Sequence, residues 1–129
     1  MLESMRRFKA GVFQALAHPT RVAIVEYLDQ GELSVGQICE KAGVEQANAS
    51  QHLAILRNKH IVQTRKAGNQ IFYRLRDPAF GKVLQALREY FLAHVTETLE
   101  LLQQEQAVAE KLLAGSDAPS PKARRRAKR

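Results

Sequence analysis

The stretch that most constrains this chain is residues 44–62, VEQANASQHLAILRNKHIV, because it carries two kinds of side chain on one helical repeat. Ala49, Leu53 and Leu56 stand at i, i+4 and i+7, so they share one face and must be buried against other helices. Gln46, Asn48, Ser50 and Gln51 are short neutral hydrogen-bonders clustered in the first two turns. A surface helix with no special task usually carries Glu and Lys there, for propensity and solubility. Amide and hydroxyl groups suit base edges instead, since Asn and Gln bond adenine bidentately and Ser serves either partner. The same residue types are ordinary capping chemistry at a helix start, and for Asn48 and Ser50 both readings stand side by side.

The flanking sequence favours the first reading. Met5, Phe8, Val12, Phe13 and Leu16 recur near the helical repeat, which predicts a first helix over about 4–17 whose apolar stripe needs a partner. His18 and Pro19 interrupt it, and Pro19 suits the first turn of a second helix, where its missing N–H would have no partner anyway. That helix runs to about Asp29 with Ile24, Val25 and Leu28 inward, and Gly31 ends it. Ser34 reads as the N-cap of a short third helix, with Gln37 at the capping-box position and Val35, Ile38 and Ala42 facing the core. Gly43 closes it, and the opening stretch begins about two residues later. Two short helices joined by a tight glycine-containing turn, the second carrying the hydrogen-bonders, are the sequence form of a helix-turn-helix.

Past Asn58 the periodicity changes to alternation rich in β-branched and aromatic residues. Residues 62–65, a turn over 66–69 and residues 70–75 predict a β-hairpin. Its tip carries Arg65 and Lys66 beside Gly68, Asn69 and Gln70. A charged turn is often simply solvated; beside a base-reading helix the same tip is placed to meet phosphates, where Lys and Arg release counterions. Arg57 and Lys59 at the end of the candidate reading helix would add further phosphate contacts.

From about 78 to 113 helical spacing returns, with Val83, Leu84, Leu87, Phe91, Val95, Leu99 and Leu102 in one stripe. A continuous helix there would span on the order of 50 Å at 1.5 Å per residue. A body this small cannot cover such a stripe, so a second copy of the chain is the simplest partner. Residues 1–113 then form one domain with a long dimerisation helix. Residues 114–129, ending SDAPSPKARRRAKR, have no apolar residue larger than alanine and are expected to be a disordered basic tail.

The net charge of +7 points toward nucleic acid, but the tail holds six cations against Asp117, leaving a nearly neutral body. Affinity in the body must come from where its charges lie. No apolar run approaches the roughly 20 residues needed to cross a bilayer and no signal-peptide pattern opens the chain, so a soluble cytoplasmic protein is expected. The single cysteine, Cys39, excludes an intrachain disulfide and a metal site built on several thiolates of one chain. No nucleophile with a nearby base, no paired carboxylates in a glycine-rich setting and no phosphate-binding loop speak for an enzyme, and no cofactor is called for.

Together HPTRVAIVEYL, ELSVGQIC, the Ser50-x-His52-Leu53 element and the hairpin ending IFYRL resemble, in order and spacing, the ArsR/SmtB family of bacterial winged helix-turn-helix repressors, over roughly residues 5–102. The resemblance implies a mainly α fold with a small β-hairpin, ordered helix, helix, helix, helix, strand, strand, helix. It also implies a homodimer joined through the first and last helices, two recognition helices in successive major grooves of a near-palindromic operator, and release of the DNA by a signal.

The departures fall on the family's sensing sites. Arsenic- and cadmium-sensing relatives read L-C-V-C-D-L-C where this chain reads LSVGQIC, so Ser34 and Gly36 replace two cysteines and only Cys39 remains. One thiolate cannot hold a soft metal tightly. Of the zinc-sensing pattern Asp77 matches, while Ala79, Tyr90 and Ala93 occupy the other ligand positions. His94 and Glu97 form an H-x-x-E pair one turn later, either a shifted metal site shared across a dimer or a solvated polar face. Cys39 is either a redox-sensitive thiol or a small core residue. His18, His52 and His60 read as structural, His52 packing where the candidate reading helix meets the body.

These features predict a DNA-binding regulator, a repressor by resemblance, that reads double-stranded DNA as a homodimer, with no membrane partner and an inducer that no recognisable site identifies. The alternative is a helical protein-interaction module on a winged scaffold that no longer reads DNA, which the nearly neutral body supports.

Overall fold

The computed structural model describes residues 1–115. The elements are α1 (Leu2–Leu16), α2 (Pro19–Asp29), β1 (Leu33–Ser34), α3 (Val35–Ala42), α4 (Gln46–Asn58), β2 (Val62–Ala67), β3 (Gln70–Leu75) and α5 (Phe80–Ala114). By internal contacts the chain divides into two units, Met1–Ala86 and Leu87–Arg129.

In the first unit, local chemistry sets the helix ends. His18 is the N-cap of α2, its Nδ1 accepting from the Thr20 N–H at 3.1 Å, and Pro19 occupies the first turn. Ser34 and Gln37 form the capping box of α3: the Ser34 hydroxyl accepts from the Gln37 N–H at 3.2 Å, and the Ser34 N–H donates to Gln37 Oε1 at 2.9 Å. Gly43 ends α3 in the left-handed region at φ 66°, a backbone that favours glycine, and the Val44 N–H closes back onto the Cys39 carbonyl.

The sheet is three-stranded and antiparallel in the order β1-β3-β2. The sequence pattern predicts only its hairpin; β1 is two residues long, too short to show alternation, and exists because Leu33 and Ser34 pair with Tyr73 and Phe72. The hairpin turn is also tighter than expected. Lys66 and Ala67 stay in β2, opposite Ile71 and Gln70, and only Gly68 and Asn69 turn, with Gly68 at φ 61°. Helix α4 stops at Asn58, and the last residues of the opening stretch turn through His60, at φ 58°, into β2.

The core joins Ile24, Val25 and Leu28 of α2, Ile38 of α3, Leu53 and Leu56 of α4, and Val62 and Leu75 of the sheet. Ala49, Leu53 and Leu56 are fully buried, as their spacing requires. Val35 and Cys39 are half-buried, so Cys39 stands at the margin of the core.

The second unit consists, among the described residues, of the continuation of α5. Leu87, Phe91, Leu99, Leu101, Leu102, Val108 and Leu112 are all exposed along it. Ala114, expected as the first residue of the tail over 114–129, belongs to this helix, and residues 116–129 of that tail lie outside the described residues. No helix among the described residues is long and apolar enough to cross a membrane.

Leu53 is fully buried where α4 meets the rest of the core, so Leu53→Ala should cost about 2–5 kcal/mol of stability. Urea unfolding followed by circular dichroism measures this as a lower midpoint with an unchanged denaturant slope.

Candidate nucleic-acid interface

Helix α4 presents its hydrogen-bonders because its apolar stripe is used up in the core. Gln46, Asn48, Ser50 and Gln51 are exposed, in alternation with buried Ala49 and Leu53. The capping reading of Asn48 and Ser50 does not hold: the N-cap is Glu45, no side chain caps the helix, and both residues lie inside it. Without a side-chain cap, the first N–H groups of α4 and the positive end of its dipole are left for an outside acceptor.

The sheet brings the wing beside the start of this helix. An open groove of about 250 Å³ is lined by Gln46 from α4, Ser34, Val35 and Gly36 from the capping box, and Asn69, Gln70 and Ile71 from the wing. Gln46 and the adjacent pair Asn69 and Gln70, at least 23 positions further along the sequence, are thereby assembled around one opening.

The cations divide. Lys66, at the wing tip, and Arg57, in the last turn of α4, are exposed. Lys59 lies elsewhere than with the wing: its aliphatic chain and Nζ run beside Gly11 of α1, and it lines a separate groove with Phe8 and Phe13. Arg65 is held by a partner, its Nε donating to Glu32 Oε1 at 2.7 Å and its Nη2 lying 2.6 Å from the same oxygen. Its guanidinium also sits 4.6 Å from the centre of the Phe72 ring. The hydrogen bond from Arg65 holds the Glu32 carboxyl below its usual range, helped by the charges of Arg65 and Arg74; the same bond raises Arg65.

Glu32, Phe72 and Arg74 were not singled out from the sequence. Strand pairing puts Arg65 opposite Phe72 and Gln63 opposite Arg74, so all four share one face of the wing. With its amide turned to satisfy both groups, Gln63 accepts from Arg74 Nε and Nη2 at 2.7 Å. Period-two alternation through Phe72 and Arg74 is the signal that would have found this basic face. Glu32 gives no such signal, because its partner lies 33 positions away.

His94 and Glu97 are both exposed on α5, and no group of three or more His, Cys, Asp or Glu is placed to hold a metal ion among the described residues. His60 Nδ1 accepts from Arg76 Nη1 at 2.9 Å, a contact made at the exposed surface.

A helix-turn-helix whose second helix exposes amides and hydroxyls, followed by a hairpin wing, defines a winged helix-turn-helix DNA-binding regulator. The family model described as "Bacterial regulatory protein, arsR family" matches residues 18–64. The chain is 40% identical over 82 residues to the biofilm growth-associated repressor of Agrobacterium fabrum, covering 64% of this chain and 70% of that protein. It is 36% identical over 117 residues to the HTH-type transcriptional regulator Rv0081 of Mycobacterium tuberculosis, covering 90% and 96%. The crystal structure of Rv0081 superposes with a TM-score of 0.69 at 31% identity, over 74% of this chain and 96% of that one. The solution structure of a homodimeric winged helix-turn-helix DNA-binding domain from Mycobacterium bovis gives 0.64 at 27% identity, over 71% and 88%. The chain belongs to the arsR family of bacterial regulatory proteins.

Glu32 engages Arg65, so a DNA phosphate that reached this guanidinium would have to compete with a carboxylate. Glu32→Gln should tighten binding to random duplex and steepen the dependence of log K on log salt, by up to about 0.9 for one added phosphate contact. Fluorescence anisotropy across a salt series measures both.

Proposed function

We propose that this protein is a transcriptional repressor that reads a near-palindromic operator as a homodimer. The observation that carries the proposal is the exposure of Gln46, Asn48, Ser50 and Gln51 on α4 together with the placement of Asn69 and Gln70 of the wing beside Gln46. In this reading α4 enters the major groove with its first turns at the base edges, and the wing follows the adjoining backbone. Arg57 and Lys66 take phosphates directly, and Arg65 does so by exchanging Glu32 for a phosphate oxygen.

Dimerisation through the first and last helices follows from exposed apolar surface. Leu2, Met5, Phe8 and Phe13 of α1 are 69%, 45%, 66% and 59% exposed. Phe8, Val12 and Phe13 border an apolar cavity of about 430 Å³ with Ile61, Phe80 and Val83. Surface of this kind marks an interface. A second copy supplies the same apolar faces, and the two-fold symmetry of a dimer matches a palindromic site. Homodimeric is also the word used of the Mycobacterium bovis relative. Phe8→Asp should therefore shift the protein toward monomer, which sedimentation velocity would detect as a lower sedimentation coefficient at the same protein concentration.

Selection of bound fragments from genomic DNA supplies an operator for the central test. Gln51→Ala should reduce the preference for that operator over random duplex by about 1–3 kcal/mol. Lys66→Ala should weaken both and lower the salt slope by roughly one unit. A protein that selects no fragment at all is the interaction module instead.

A further inference from the structure

We propose that Arg21 and His52 are a positioning pair that fixes the DNA-reading helix on the body, and that protonation of His52 loosens this attachment so that sequence discrimination is lost in acid. The inference rests on α4 being the DNA reader.

His52 directly follows Gln51 on α4, and its half-buried side chain leaves that exposed row for the junction of α1 and α2. There Arg21 Nη1 lies 3.2 Å from His52 Nδ1. The same guanidinium donates through Nε to the Ala15 carbonyl, at 2.5 Å, in the last turn of α1. One side chain of α2 thus ties the end of α1 to the middle of α4. The His18 ring stands against the His52 ring, centroids 4.4 Å apart at 44°, and His18 is itself held as the N-cap of α2.

Donor chemistry makes this tie dependent on protonation. A guanidinium has only donors, so the Nδ1 facing it must carry a lone pair, and the neutral ring keeps its proton on Nε2. An imidazolium would turn an N–H toward an N–H and set positive charge against positive charge. The charged and titratable groups acting on His52 are His18, at the α1–α2 junction, and Arg21, on α2; α1 contributes the Ala15 carbonyl, which Arg21 occupies. Burial lowers the His52 pKa, and the charges of His18 and Arg21 lower it further. The folded state therefore favours the neutral ring. The tie is fully present above the ordinary imidazole value of about 6.5 and is lost as pH falls through the lower folded value.

The direction is diagnostic, because acidification otherwise adds positive charge and strengthens attachment to DNA phosphates. The test compares the operator selected above with random duplex at constant ionic strength, between about pH 8 and pH 5.5. For the wild type the operator-to-random ratio should fall about tenfold while random binding holds or tightens, equivalent to about 1.4 kcal/mol. His52→Asn, whose Oδ1 stands near the place of Nδ1 and accepts without titrating, should keep the neutral ratio and give a flat profile. His52→Leu should lose the ratio at every pH, with its melting curve showing that it remains folded. In imidazole nitrogen NMR of the wild type, His52 Nδ1 should carry no proton at neutral pH. The proposal is overturned by a His52→Asn profile as steep as the wild type's, by undiminished discrimination in folded His52→Leu, or by a proton on Nδ1. A wild type that prefers no duplex at any pH overturns the DNA reading, and this inference with it.

Discussion

The burial of Ala49, Leu53 and Leu56 decides the rest of this structure, because each turn that α4 gives to the core determines which of its residues remain outside. A helix has one apolar stripe, and once that stripe meets α2 and α3, the amides and hydroxyls between its members must face solvent. Rotating the helix to bury Gln51 would leave its amide without water and take Leu53 out of the core, two costs of the same sign. Side-chain presentation is thus a by-product of packing. The capping box at Ser34 has a related part, for it sets where α3 begins and, through the short reach to Gly43, where α4 can start.

The sheet adds what the helices cannot. Two residues of β1 fasten the wing to the segment that caps α3, so the hairpin is pinned at its base by Leu33 and Ser34 rather than hanging from α4 alone. Glu32, the residue just before them, reaches Arg65 from that fixed base and holds a wing cation in place. Arg65 is exposed and Glu32 only half-buried, so this surface pair contributes little to stability. Its effect is instead on geometry, holding the Arg65 guanidinium against Glu32 and the Phe72 ring.

Elements whose signal is local were legible in the sequence. Helices α1 to α4 follow from apolar spacing, from Pro19 and Ser34 at helix starts and from Gly43 at an end, and the hairpin follows from alternation. Strand β1 was not legible, since two residues carry no period and their strand character exists only through Tyr73 and Phe72. The same limit separates the site residues. Exposure of Gln46, Asn48, Ser50 and Gln51 follows from helical geometry around Leu53. The fates of Arg65 and Lys59 depend on Glu32 and Gly11, neighbours made by folding and invisible to spacing.

Charge placement bears on how such a protein tells one sequence from another. A strongly basic body would hold any duplex through phosphates, and base contacts would then change total affinity by a smaller fraction. Here five of the seven net charges lie in the tail beyond residue 115, and a carboxylate already engages Arg65 in the body. The folded body therefore starts with modest attraction to any duplex. Base contacts from α4 and the wing, as proposed, would weigh more heavily against that lower background, so the near neutrality that favours an interaction module equally suits a selective reader. What separates the two is the chemistry of the exposed row on α4: a protein-binding helix gains most from apolar or aromatic anchors at its centre, whereas this row carries amides and hydroxyls.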